Sequence, residues 1–247
     1  MPAGTALAQR DIPAIAAASD LQFALEDIAA RFRAESQNEV RLSFGSSGNY
    51  FRQIGQGAPF QLFLSADEDF VFRLHQAGKT EDRGVLYATG RIVLFAPQGS
   101  PLQVDAQMAG LKVAIAGSRI SRFAIANPEH APYGRAAEQA LRKLGMWEAL
   151  QGKLVLGENV SQAAQFAGSG SAQGGIFAYS LALSPSVSKL GSYVLLPEDL
   201  HQPLRQRMVL VKGAGETARA FYVYLQQPAA RKIFARYGFV LPTGAMK

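Results

Sequence analysis

The sequence predicts an α/β protein built on mainly parallel sheets. Three observations lead there. Apolar runs of strand length alternate with segments of helical spacing. Small or polar residues, above all Ser, Asp and Gly, stand at the junctions between them. Hydrophobic residues make up 48% of the chain and charged residues 18%, which is globular composition.

The elements follow in order. Ile12 to Ala18 reads as a short buried strand, and Ser19-Asp20-Leu21-Gln22 after it has the Ser-x-x-Gln form of a capping box. Leu25, Ile28, Ala29 and Phe32 then recur at helical spacing. Glu39 to Phe44 alternates as a strand, Gly45-Ser46-Ser47-Gly48 is a turn, and Tyr50 to Ile54 forms a short helix ended by Gly55 and Gly57-Ala58-Pro59. Phe60 to Leu64 is a third strand. Ser65-Ala66-Asp67-Glu68 is a second capping box, opening a helix through Phe72 and His75 to Gly78. This β-α-β-α-β-α order implies a parallel sheet covered on both faces. Ile92 to Ala96 and Leu111 to Ala116 read as strands. Pro132-Tyr133-Gly134 opens a helix through Ala137, Leu141 and Leu144 that Gly145 closes. Lys153 to Leu156 is a strand, Val160 to Phe166 a helix, and Gly168 to Ser171 a loop. Gly175 to Tyr179, Tyr193 to Leu196 and Met208 to Val211 are strands. Glu216 to Leu225 and Pro228 to Tyr237 are the last helices.

The 247 residues suffice for one large or two small domains of roughly 150 residues. No Pro/Gly/Ser-rich linker divides them. The absence of Cys excludes disulfides, thiolate catalysis and Cys-ligated metal centres. The formal net charge of +6 raises the question of nucleic acid, but no Lys/Arg-rich run occurs and residues 91–197 carry nine Lys/Arg against five Asp/Glu. A mildly basic surface without nucleic-acid partners is the expectation. No run approaches the roughly 18 apolar residues of a membrane span, so direct membrane insertion is not expected. Ala6-Leu7-Ala8 before Gln9 has the A-x-A form of a signal-peptidase site, although no apolar segment precedes it. Residues 1–10 are read as the end of an export signal, with a chance Ala-rich start as the alternative.

Enzyme motifs fail. There is no Gly-x-Ser-x-Gly elbow and no Gly-x4-Gly-Lys-Ser/Thr loop. Gly168-Ser169-Gly170 starts like a dinucleotide fingerprint, but Gln173 takes the place of its third glycine. His75, His130 and His201 show no metal-ligand spacing. The positive signal lies at four helix starts: Ala18-Ser19, Ser46-Ser47, Pro132-Tyr133-Gly134 and Asn159-Val160. A helix N-terminus offers unpaired N–H groups and partial positive charge, so it can hold an anion without Lys or Arg. Ser hydroxyls add donors. In open α/β sheets, ligands bind at the carboxyl ends of strands, where Ser19 and Ser47 stand. A Ser at one helix start usually only caps it. Position alone therefore leaves an anion site as a hypothesis beside plain capping.

The residues that carry this pattern resemble the periplasmic molybdate-binding proteins. The resemblance rests on Ala16-Ala17-Ala18-Ser19 with Asp27-Ile28-Ala29 and Phe32, on Phe44-Gly45-Ser46-Ser47-Gly48, and on Arg52-Gln53-Ile54 with Gly57-Ala58-Pro59. Leu62-Phe63-Leu64-Ser65-Ala66-Asp67 and the run Asn127-Pro128-Glu129-His130-Ala131-Pro132-Tyr133-Gly134 continue it. Further pieces are Gly145-Met146-Trp147, Glu158-Asn159-Val160, Phe221-Tyr222-Val223-Tyr224-Leu225 and Ile233-Phe234-Ala235-Arg236-Tyr237-Gly238-Phe239. It covers about residues 12–240.

The resemblance implies a two-domain periplasmic-binding-protein-like fold of type II with a ligand cleft between the domains. Domain I would comprise 11–90 plus 198–247 and domain II 91–197, with crossings near Thr89–Ile92 and Leu196–Leu200. It implies a periplasmic, monomeric, non-enzymatic component of an ABC importer that binds molybdate or tungstate, needs no cofactor and delivers its ligand to a membrane permease. Ser19 and Ser47 match family serines that donate hydroxyl and N–H groups. Tyr133 and Val160 match positions that donate backbone N–H. Ala18, Ser46, Gly134 and Tyr179 are further candidates. Some family members carry a ligand Tyr in a Gly-Ile-Val-Tyr pattern. Here Gly175-Ile176-Phe177-Ala178-Tyr179 places Tyr179 one residue late, on the opposite face of a strand unless a bulge restores it. A sulfate- or phosphate-binding protein of the same fold is the alternative. An enzyme on this scaffold is opposed by the lack of a nucleophile–base pair, and a DNA-binding regulator by the lack of room for a helix-turn-helix before residue 12.

Overall fold

The computed structural model describes residues 12–243. The export-signal reading of residues 1–10 lies outside them. The chain runs β1 (Ala14–Ala18), α1 (Gln22–Ser36), β2 (Arg41–Gly45), α2 (Ser47–Gly55), β3 (Phe60–Ser65), α3 (Glu68–Gln76), β4 (Val85–Gly90) and β5 (Ile92–Pro97). It continues through α4 (Ala109–Ala116), β6 (Phe123–Ala126), α5 (Pro132–Lys143), α6 (Trp147–Leu150), β7 (Leu154–Gly157), α7 (Val160–Gly168) and β8 (Gly174–Ala178). The last elements are α8 (Tyr179–Ala182), α9 (Pro185–Ser188), β9 (Gly191–Leu195), β10 (Leu204–Leu210), α10 (Glu216–Tyr224) and α11 (Pro228–Arg236).

Among the described residues, ten strands form two five-stranded sheets, ordered β2-β1-β3-β10-β4 and β7-β6-β8-β5-β9. Both are mainly parallel. In the first, β10 runs antiparallel to its neighbours β3 and β4. In the second, β5 runs antiparallel to β8 and β9. The chain passes from the first sheet to the second between Gly90 and Ile92 and returns between Leu195 and Leu204. Helices cover both sheets, so central strands are apolar throughout: Ile92, Val93, Leu94 and Phe95 are fully buried, as are Ala16 and Ala17. One core packs the second sheet with α5 and α7. Another packs α1, α10 and α11 on one face of the first sheet, where Phe32 meets Phe221 and Tyr224. A third lies under α2 and α3 on its other face, with Tyr50, Phe63 and Phe70.

The register fixes where the loops emerge. Ala18 pairs with Gly45 at the ends of β1 and β2, and Ala126 with Gly157 at the ends of β6 and β7. In each sheet two adjacent parallel strands therefore end level, and the segments that follow both start from one edge.

Several local readings are corrected. Residues 111–116 form helix, not strand. Asp105 accepts from Ala109 N at 2.9 Å and Gly110 N at 2.7 Å, satisfying the first helical donors. Leu111 and Ala114 then face inward while Val113 is 60% exposed, a helical and not an alternating pattern. The strands β4 and β6 gave no sequence signal; β6 has only four residues, too few to show a period. Neither capping box forms. Ser19 to Leu21 is a 3-10 turn, and α1 starts at Gln22 without a side-chain cap. For α3 the cap is Asp67, which accepts from Asp69 N at 3.0 Å. Tyr179 is not in a strand; it opens α8, its N–H donating to Arg91 O at 2.9 Å.

Candidate functional site

Five segments meet around one small cavity. Its lining is Ala18, Ser19 and Asp20 after β1, Gly45, Ser46 and Ser47 after β2, Ala66 after β3, Ala131, Pro132 and Tyr133 at the start of α5, and Val160 at the start of α7. The first three groups belong to the loops of the first sheet and the last two to those of the second. Six of the residues singled out from sequence, Ser19, Ser47, Tyr133, Val160, Ala18 and Ser46, thus line one small cavity.

The donors are aimed by local geometry. Ser47 and Val160 are the first residues of α2 and α7, and Tyr133 is the second of α5. Amide groups there have no partner within the helix, and the surrounding loops supply none. Ser46 caps α2 by accepting from Asn49 N at 3.3 Å, and Asn159 caps α7 by accepting from Gln162 N at 3.1 Å. These caps leave the residues that follow free to present N–H groups. Ser47 Oγ accepts from Ala66 N at 2.9 Å, and Ser19 Oγ from Ser161 N at 3.3 Å. Each hydroxyl has one accepting bond filled and keeps its proton to donate. Because no capping box forms at Ser19, that hydroxyl is not spent on α1.

Polar contacts tie the two sets of loops together. Ser161 Oγ donates to Ser19 O at 2.9 Å, and Gly48 N to His130 O at 3.0 Å. Ser46 Oγ lies 2.9 Å from His130 Nδ1. Asn49 bonds Glu158, and Arg135 pairs with Asp67. The approach at Gly48 demands glycine: a Cβ there would stand 2.5 Å from His130 O.

Beneath the cavity lies a buried cluster for which the sequence offered no signal. Tyr133 Oη donates to Asp20 Oδ2 at 2.9 Å. Gln206 Nε2 donates to the same oxygen at 2.6 Å and to Tyr133 Oη at 3.0 Å, while Tyr87 Oη donates to Gln206 Oε1 at 2.7 Å. Ser180 Oγ donates to Asp20 O at 2.7 Å. Burial pushes the Asp20 carboxyl up to about 6, against the opposing pull of its bonds from Gln206 and Tyr133. Burial and the adjacent Asp20 charge hold the Tyr133 hydroxyl well above the usual phenol range.

Two candidates fall elsewhere. Gly134 does not line the cavity: its N–H donates to Ala131 O at 2.9 Å, and a Cβ on it would meet Ala126 O at 2.2 Å. Its smallness seats α5 against the end of β6. Tyr179 packs its ring on Tyr193, with a centroid distance of 6.1 Å, and lies against Gly238. It is no part of the cavity wall, because the chain turns into α8 at that residue and no bulge restores it.

The lining carries Ser hydroxyls and helix-start N–H groups, with no Lys or Arg and with Asp20 as its one ionisable carboxyl. No group of three or more metal-ligating side chains occurs among the described residues. Hydroxyl and N–H donors of this kind can bond the oxygens of an anion, and the lining contains no nucleophile–base pair.

Two α/β sheets with neutral donors converging from both define a solute-binding protein. Residues 14–240 match the family of bacterial extracellular solute-binding proteins. The chain is 38% identical over 218 residues to the molybdate-binding protein ModA of Rhodobacter capsulatus, covering 87% of this chain and 82% of that one. It is 35% identical over 245 residues to ModA of Escherichia coli, covering 97% and 93%. Among solved structures, the periplasmic molybdate-binding protein of Azotobacter vinelandii superposes with a TM-score of 0.84 at 32% identity, covering 94% of this chain and all of that one. The chain belongs to the ModA family of molybdate-binding proteins. It is a binding protein, not an enzyme.

Proposed function

We propose that this protein binds a tetrahedral oxyanion, molybdate or tungstate, in the cavity between its two sheets and delivers it, as a monomer in the periplasm, to the membrane permease of an ABC importer. Ser19 and Ser47 donate hydroxyl and backbone N–H groups. Tyr133 and Val160 donate backbone N–H groups from the other side, and Ala18 and Ser46 complete the wall. One observation carries this reading: four unpartnered segment starts from two sheets converge on one space that contains no Lys or Arg. The names of the relatives supply the ligand class.

On this reading the two sheets with their helices are two domains, 12–90 plus 198–243 and 91–197, hinged where the chain crosses near Thr89–Ile92 and Leu196–Leu200. The anion bridges them and so favours the closed arrangement. Hydrogen bonds to a charged acceptor contribute about 1.5–3 kcal/mol each, and several together offset dehydration of a dianion. A fixed ring of donors also measures radius. Sulfate is smaller than molybdate, so it cannot reach every donor at once. Each buried donor left unpaired costs about 1–3 kcal/mol. Molybdate and tungstate are of nearly equal size, and little discrimination between them follows. Thermal-shift measurements with molybdate, tungstate, sulfate and phosphate test the reading. Stabilisation by the first two alone supports it; stabilisation by sulfate or phosphate alone assigns the site to the smaller oxyanions.

A further inference from the structure

A carboxyl group in the wall of an anion cavity calls for an explanation. Asp20 is 1% exposed and lines the cavity directly beside Ser19. An ionised carboxylate there repels an entering dianion, and at a buried site charges interact more strongly than in water. The surroundings hold no compensating cation. Among the described residues no Lys, Arg or His bonds or pairs with Asp20. The groups facing it are the Tyr133 hydroxyl from α5, the Tyr87 hydroxyl from β4 behind the Gln206 amide of β10, and the Ser180 hydroxyl from α8 on its backbone carbonyl. All are neutral.

The hydrogen bonds in this cluster form one consistent set. Tyr87 donates to Gln206 Oε1, so the Gln206 amide nitrogen must face Asp20. Its two protons go to Asp20 Oδ2 and Tyr133 Oη, and the Tyr133 proton goes to Oδ2. Both donors therefore converge on one carboxylate oxygen. The other, Oδ1, is buried with no partner. With no partner at Oδ1, a charged carboxylate oxygen there costs more than a neutral hydroxyl, and protonation at Oδ1 leaves every bond to Oδ2 in place.

We propose that the oxyanion enters this cavity together with one proton, which lodges on Oδ1 of Asp20, so that Asp20 is the residue coupling anion affinity to pH. The inference rests on the oxyanion reading given above. The proton comes from solvent and adds to the carboxylate; no bond in the anion is made or broken. The net charge brought into the cavity falls from two negative to one. The free protein has its Asp20 carboxyl raised by burial into the range where this uptake costs little near neutrality.

The test is calorimetric titration of the full chain with sodium molybdate between pH 6.5 and 8.5, in paired buffers of different ionisation enthalpy, for the wild type and Asp20→Asn. Asn keeps an oxygen for Tyr133 and Gln206 and puts a neutral amide at the place of Oδ1. In the wild type, close to one proton is taken up per anion at pH 8, and affinity falls by up to about tenfold per pH unit. In Asp20→Asn, uptake vanishes and affinity stays flat. Wild-type binding without proton uptake overturns the proposal, and that measurement needs no variant. Parallel pH profiles for the two proteins overturn it as well. If neither protein binds molybdate at any pH, the oxyanion reading itself fails, and this inference with it.

Discussion

The hydroxyl of Tyr133, from the second sheet's helix α5, donates to the carboxylate of Asp20, from the turn after β1, across 2.9 Å of fully buried space. The two residues are 113 positions apart, and between them they join the floor of the cavity to both sheets. A third residue makes room for the bond. Gly90, at the end of β4, lies so close that a Cβ on it would stand 2.2 Å from Tyr133 Oη and 2.8 Å from Gln206 Nε2.

Gly90→Ala is therefore expected to displace the Tyr133 hydroxyl from Asp20. Gly90 has no left-handed backbone angle, so alanine is conformationally allowed and the effect is one of space alone. Overpacking and the lost bond together cost roughly 1–3 kcal/mol. Thermal unfolding should report a drop of several °C, with weaker molybdate binding. An unchanged melting temperature would remove Gly90 from this role.

Ser47→Ala removes a hydroxyl donor from the cavity and leaves Ala66 N–H without its acceptor. Loss of one donor to a charged acceptor amounts to about 1.5–3 kcal/mol, or roughly 10- to 100-fold in Kd. Calorimetric titration with molybdate measures it. Unchanged affinity would take Ser47 out of the binding ring.

What could be read from the sequence follows from the range of each interaction. Strands β1, β3 and β5 and the helices α5 and α7 were legible because their signals are local: an apolar run, a Pro or Asn at the start, a Gly at the end. The positions of Ser19, Ser47, Tyr133 and Val160 were legible for the same reason, since a helix start announces unpaired N–H groups in its own few residues. Residues 111–116 misled because their apolar run suits a strand, and only the Asp105 carboxylate six residues earlier turns the segment into helix. The cluster under the cavity could not be read. Gln206 and Asp20 are 186 residues apart, and Tyr87 and Gln206 are 119 apart. Nothing in the sequence near Asp20 distinguishes a buried carboxyl from a solvated one at a helix start. Tyr179 was read as a strand residue one place late and kept as a further candidate; the chain turns into α8 there, so the face of a strand does not decide its position.

Tyr179→Phe is expected to leave molybdate affinity within about twofold of the wild type, since the ring packs on Tyr193 and the residue does not line the cavity. A loss of tenfold or more in the same titration would return the Tyr179 hydroxyl to the site.

Asp20→Asn separates the stability of the free protein from its binding. Burial raises the folded carboxyl from the ordinary 3.8 to about 6, so between these values the folded protein binds more protons than the unfolded chain. Stability therefore falls as pH rises through this window, and the cost of the buried charge is fully present above about pH 6. A shift of about two units corresponds to about 3 kcal/mol at most. Asn carries no charge and retains an acceptor for Tyr133 and Gln206. In the absence of ligand, Asp20→Asn should melt a few °C above the wild type at pH 7.5, and the gap should shrink as pH falls below about 6 and close only below about 3.8, where the carboxyl is protonated in the unfolded chain as well. Melting curves of the two proteins across this range check it. A gap that is constant with pH would show that Asp20 does not ionise within its cluster, and a variant less stable at pH 7.5 would show that the carboxylate is held there by interactions stronger than its desolvation.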